Sequence, residues 1–164
     1  MKALVIAAQV GDDGPPGSVR PAPRLMRLSG GVRTRLHVNP LAAEHFVLPR
    51  APAWADLVAD ASLPLHVDIG CCAGGFVLQR AQSLRGANHV GLDLQPRRLE
   101  RARVWAAGVP NAGFLLANVL VPGAITTLLR DYPGPVVGAT ILFPDPFSQP
   151  RFRRRRLLQV CFPI

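Results

Sequence analysis

From Leu65 to Phe143 the sequence alternates four times between a short apolar run and a stretch of helical periodicity, a pattern few folds accept. Leu65–Ile69 reads as a strand ending in glycine. Gly74–Leu84 follows as a helix, with Phe76, Val77 and Leu78 near its start. His89–Leu92 is the second strand. Pro96 suits a helical first turn, and Leu99, Ala102 and Ala106 recur behind it at three-to-four spacing. Phe114–Ala117 is the third strand, and a third helix opens at Pro122 and closes at Tyr132-Pro133-Gly134. Val136–Phe143 is the fourth strand. Strands joined by helices through short connections pair in parallel and carry helices on both faces. Right-handed crossovers favour the strand order 3-2-1-4. The expected fold class is α/β with a doubly wound sheet. An α+β arrangement of the same elements fits less well, because every strand follows a helix.

Upstream, Trp54, Leu57 and Val58 suggest a short helix before Pro64. Residues 11–31 are dense in Gly, Pro and Arg with no apolar period, so residues 1–31 are expected to be a disordered tail and 32–164 a single domain. The chain carries 19 Lys+Arg against 10 Asp+Glu, a net charge of +9, which points to a polyanionic partner and most simply a nucleic acid. A basic protein that is merely soluble is the plainer alternative. Cys71, Cys72 and Cys161 form no CxxC pair near a histidine, so neither a disulfide framework nor a metal site is expected. No apolar run reaches the length of a membrane span, and residues 1–10 lack a secretory cleavage signature. The expected location is the cytoplasm, or the nucleus or plastid if the source is eukaryotic.

The chemistry gathers at the strand ends. Asp68-Ile69-Gly70-Cys71-Cys72-Ala73-Gly74-Gly75 sits where the first strand turns into the first helix; Gly70 and Gly74 supply the tight turn, and the small Cys72 and Ala73 let a ligand approach the backbone. Asp68, just before the turn, would repel a pyrophosphate and suits a ligand with a cationic amino-acid end. Asp93 ends the second strand, twenty-three positions after Gly70, where a carboxylate can accept both hydroxyls of a ribose. Its alternative is a helix-capping aspartate before Gln95-Pro96. Asn118, after the third strand, offers an amide to an adenine edge or serves as a turn residue. Asp, Asp and Asn at successive strand ends describe a pocket that S-adenosylmethionine fits. After the fourth strand Pro144 and Pro146 flank Asp145 in a rigid turn beside that pocket. Arg151, Arg153, Arg154, Arg155 and Arg156 then surround Phe152. Guanidinium groups pair with phosphates and stack on bases. A solvated helix face would mix in acids, and none follows Asp145.

Five blocks occur in order: Leu65-His66-Val67-Asp68-Ile69-Gly70, Gly91-Leu92-Asp93, Phe114-Leu115-Leu116-Ala117-Asn118, Phe143-Pro144-Asp145-Pro146 and Arg154-Arg155-Arg156-Leu157-Leu158-Gln159. Together they resemble the tRNA (guanine-N7)-methyltransferase family, and Arg35–Leu41 resembles a segment of its plant and cyanobacterial branch. The resemblance implies a Rossmann-like methyltransferase sheet in which Asp68, Gly70, Gly74, Asp93 and Asn118 hold S-adenosylmethionine. It implies that Asp145 is the active-site acid, that Arg151 and Arg153–Arg156 touch tRNA, and that the product is 7-methylguanine at position 46 of the variable loop. Guanine N7 has a lone pair and no proton, so Asp145 is expected to orient the base through its N–H edge.

The sequence departs from the family pattern in several places. Cys72 stands at the middle glycine of Gly-x-Gly-x-Gly, Phe147 where tryptophan or histidine is usual, and Gln149 where lysine is. Past Gln159 the family continues through a fifth strand, a helix and a β-hairpin, whereas this sequence stops at Ile164. The expectation is therefore an incomplete sheet and a truncated chain, poorly soluble and weak in methyl transfer. The alternative is a catalytically inactive RNA-binding fragment or subunit, working with a partner subunit if eukaryotic. A nicotinamide-dependent oxidoreductase of the same fold is disfavoured by Asp68 and the arginine cluster.

Overall fold

A computed structural model of the chain describes residues 38–145 and 147–158; the expected tail 1–31 lies outside these, as do Arg35–His37 and Gln159. Four strands, β1 (Leu65–Ile69), β2 (Asn88–Asp93), β3 (Ala112–Leu116) and β4 (Val136–Ile141), form one sheet. All three pairings are parallel and the order is β3-β2-β1-β4, as the alternation predicted. Four helices accompany them: α1 (Trp54–Leu57), α2 (Gly75–Ser83), α3 (Pro96–Trp105) and α4 (Ala124–Leu129).

Side chains leave a strand on alternate faces, which explains two separate cores. On one face Leu65, Val67, Val90 and Leu92 pack with Trp54, Val58, Leu128 and Tyr132, beneath α1 and α4. On the other, Phe114 and Ala112 meet Cys71, Val77, Leu78 and Ala81 together with Leu99 and Ala102, beneath α2 and α3. The strands' amino ends are closed by polar groups. Tyr132 stacks edge-on against Trp54 at 4.6 Å, donates its hydroxyl to Leu63 O at 2.5 Å and accepts Asn88 Nδ2 at 2.8 Å. Asn88 also donates to Asp60 O at 2.7 Å.

The element boundaries differ from the sequence expectation where glycine or a left-handed residue intervenes. β3 starts at Ala112 rather than Phe114, because Gly113 hides its first half; a Cβ there would lie 2.7 Å from Leu57. α4 starts at Ala124 rather than Pro122, since Gly123 at φ +81° is its cap. β4 ends at Ile141, not Phe143: Phe143 at φ +49° turns the chain out of the strand. Val136 and Val137 at the start of β4 are 44% and 52% exposed, and β4 pairs only with β1 among the described residues. No helix among the described residues is long and apolar enough to cross a membrane.

Candidate functional site

The parallel register aligns Ile69, Leu92, Leu115 and Ile141, so the loops leaving all four strands open at one edge of the sheet. A cavity of about 480 Å³ lies there, large enough for a nucleoside-sized ligand. Asp68, Gly70, Asp93, Asn118, Asp145 and Arg155 all line it, brought together from positions spread over nearly ninety residues.

The loop after β1 is shaped by β2. Gly70 N and Cys71 N both donate to Leu92 O, at 2.8 and 3.0 Å. Gly70 (φ +81°), Cys72 (+54°) and Gly74 (+77°) are all left-handed, so Cys72 carries a conformation that asks for glycine. Gly74 is not part of the cavity wall. It sits behind the loop, where a Cβ would fall 2.4 Å from the Phe114 ring. Gly91 serves Cys71 in the same way: a Cβ on Gly91 would lie 2.5 Å from Cys71 Sγ. Burial pushes the Cys71 thiol well above its ordinary range, with Asp93 and Asp68 adding to the effect, so it packs as an apolar group.

Asp68 is buried, and Thr140 Oγ1 donates to its Oδ1 at 2.6 Å across the β1–β4 pairing. Burial raises the Asp68 pKa, and the Thr140 bond and the charge of Arg80 pull it back. A cationic partner would favour the ionised form further. Thr140 carries no signal of its own in the sequence; its place opposite Asp68 emerges only from the β1–β4 register.

Asp93 has two structural duties. Its Oδ2 accepts Cys72 N at 2.9 Å and its Oδ1 accepts Gln95 N at 2.8 Å, so the carboxylate ties the glycine loop to the start of α3. The helix-capping alternative is not realised: Gln95 is the N-cap of α3 and makes no side-chain cap bond, so Asp93 closes a turn ahead of the helix, and each carboxylate oxygen can accept a further hydrogen bond. Asn118 is placed differently from the expected adenine contact. Its Nδ2 donates to Pro40 O at 2.6 Å and His45 O at 2.9 Å, and its Oδ1 accepts Leu120 N at 3.1 Å. Both amide hydrogens hold the segment from Val38 to Phe46 against the end of β3, and Val38 and Pro40 thereby become cavity wall.

The chain after β4 contributes Phe143, Asp145, Phe147, Arg155 and Leu157 to the cavity lining. Asp145 is exposed, between two left-handed phenylalanines, Phe143 at φ +49° and Phe147 at +37°, rather than in a simply extended turn. Pro150–Arg155 forms a 3-10 helix, in which Arg151 and Arg155 stack on the Phe152 ring at 4.8 and 4.5 Å. Of the five arginines, only Arg155 lines the cavity. Arg151, Arg153 and Arg154 are exposed. Arg156 is turned inward: its Nε and one terminal nitrogen donate to Phe147 O at 3.1 and 3.0 Å, and that nitrogen also reaches Ser148 O at 3.3 Å. It closes the loop on which Phe147 sits, which differs from an RNA contact of its own. Among the described residues no group of three or more His, Cys, Asp or Glu could hold a metal ion.

The sequence profile of a family described as a putative methyltransferase matches residues 62–162, the whole of the sheet and its strand-end loops. The chain belongs to this methyltransferase family. It is 37% identical over 131 residues to a protein of Synechococcus sp. (strain JA-2-3B'a(2-13)) named tRNA (guanine-N(7)-)-methyltransferase, covering 79% of this chain and 53% of the relative. A protein of the same name from Synechococcus elongatus is 34% identical over 131 residues, covering 78% and 61%. Another from Microcystis aeruginosa is 37% identical over 134 residues, again covering 78% and 61%. These relatives are cyanobacterial, in keeping with the branch that Arg35–Leu41 resembles. The methyltransferase chain spans between about half and three-fifths of their length. A solved structure of the bifunctional kinase-methyltransferase WbdD aligns over 32% of this chain and 12% of its own at 31% identity, with a TM-score of 0.29, too short a match to bear on function.

Proposed function

We propose that this chain transfers the methyl group of S-adenosylmethionine to N7 of a tRNA guanine, the guanine at position 46 of the variable loop. The observation that carries the reading is one cavity lined by Asp68, Gly70 and Asp93 together with Asp145 and Arg155. The donor set fits the methyl donor. Buried Asp68 suits its ammonium group, Asp93 its ribose hydroxyls, and Gly70 leaves the backbone open, with no atom within 4 Å of where a Cβ would stand. When bound, S-adenosylmethionine supplies an electrophilic methyl on a sulfonium. The protein's own share is positional: Asp145 accepts from the N–H edge of guanine and aligns N7, whose lone pair needs no base. Arg155, with exposed Arg151, Arg153 and Arg154, meets the phosphates flanking the target.

The test is transfer of labelled methyl from S-adenosylmethionine to a tRNA transcript, and to the same transcript with 7-deazaguanine at position 46. Label on the first and none on the second is expected, with Asp145→Ala losing transfer while still binding S-adenosylhomocysteine. Equal labelling of both transcripts would refute N7 as the acceptor. Binding of tRNA without transfer would leave the chain an RNA-binding member of the family.

A further inference from the structure

Phe143 is 88% exposed, more than any other described large apolar side chain, and its ring lines the cavity two positions before Asp145. Its backbone is costly to hold. At φ +49° a bulky L-residue lies in the left-handed region, and the ring of Pro144 behind it favours an extended conformation instead. The neighbouring aromatics are already engaged: Phe147 and Phe152 meet edge-on at 6.4 Å, and Arg151 and Arg155 cover Phe152. No ring or cation among the described residues stacks on Phe143. A strained segment thus presents an open aromatic face to a cavity that Asp145 and Arg155 also line, with no stacking partner among the described residues.

We infer that the Phe143 ring is the platform on which the target guanine stacks while Asp145 holds its N–H edge. Proteins that read unpaired bases combine these same elements, an aromatic plane, an edge-reading side chain and a basic surface. The inference rests on the proposed guanine site and adds the residue that captures the base out of its own stack. A ring that instead seats another protein would show no preference among bases.

The experiment compares two end-labelled RNA pentamers, UUGUU and UUUUU, binding the S-adenosylhomocysteine-loaded chain, read by fluorescence anisotropy. Phosphate contacts are common to both, so the ratio of their affinities isolates the guanine. The wild-type chain is expected to prefer UUGUU. Phe143→Asn, which suits the left-handed backbone while removing the ring, is expected to weaken UUGUU binding by about five- to one-hundred-fold, the range for loss of one base stack, and to reduce the preference because guanine has the larger face to stack. Phe143→Tyr is expected to retain it, and S-adenosylhomocysteine affinity is expected to stay unchanged in both variants. No preference in the wild-type chain, or an undiminished preference in Phe143→Asn, would overturn the inference. The proposed function fails separately, if guanine preference depends on Phe143 while tRNA receives no methyl.

Discussion

Replacing Asn118 by aspartate separates two jobs that its position allows. The substitution preserves volume and keeps an oxygen for Leu120 N, but it removes both donors that hold Pro40 O and His45 O. It also sets a carboxylate oxygen against those two carbonyl oxygens, at a site only 6% exposed. Two lost hydrogen bonds at about 1 kcal/mol each, plus about 1 kcal/mol for leaving a buried carbonyl unpaired, come to roughly 3 kcal/mol. That is about a hundred-fold rise in local opening of the segment from Val38 to Phe46. Amide hydrogen exchange reads it directly. His45 N and Phe46 N bond to Ala42 O at 2.9 and 3.0 Å and should lose protection, while the strand amides of β1 and β2 keep theirs. Affinity for S-adenosylmethionine should fall with it, because Pro40 and Val38 no longer form a wall. If protection at His45 and Phe46 is unchanged and only affinity falls, Asn118 acts on the ligand and the clamp reasoning is wrong.

Further outcomes follow from the structure. Thr140→Val removes the bond to buried Asp68 Oδ1 and should cost about 1–3 kcal/mol in urea unfolding, and carboxyl-carbon NMR titration should show the Asp68 pKa climbing further. Gly91→Ala places a methyl 2.5 Å from Cys71 Sγ and should destabilise by about 1–3 kcal/mol, with a second change, Cys71→Ala, recovering part of the loss in the same assay. Burial, then the charges of Arg80 and His89, lowers His66 from 6.5 to about 4; the unfolded chain therefore binds the proton first, and stability should drop as pH falls from 6.5 toward 4. For a partly exposed ring this is on the order of 1–2 kcal/mol after solvent screening, and His66→Gln should flatten urea midpoints measured across that window. Arg156→Ala should slow methyl transfer several-fold through a misplaced Phe147, whereas Arg153→Ala should weaken tRNA binding and lower its salt dependence by about one phosphate contact.

The sheet and its order were legible because alternation of period and the handedness of crossovers leave few choices. The strand-end acids were legible as well, because a parallel sheet delivers every such loop to one edge. What stayed hidden depended on pairing across the sequence. Thr140 matters only once β4 is registered on β1, and Gly113 masks the start of β3. The direction of Arg156 depends on carbonyls eight and nine residues earlier. Asn118 shows the limit most plainly: its position at a strand end was readable, but its partners lie 78 and 73 residues upstream.

The lattice of Tyr132, Asn88, Asp60 and Leu63 closes the opposite end of the strands from the cavity, and its distance from the site gives the molecule two genetic poles. Substitutions at Asn88 or Tyr132 should lower how much protein accumulates while each surviving molecule works normally. Substitutions at Asp145 or Phe143 should leave abundance intact and silence the molecules that are there. A variant library scored at once for abundance and for RNA methylation would sort residues by the end of the sheet they occupy.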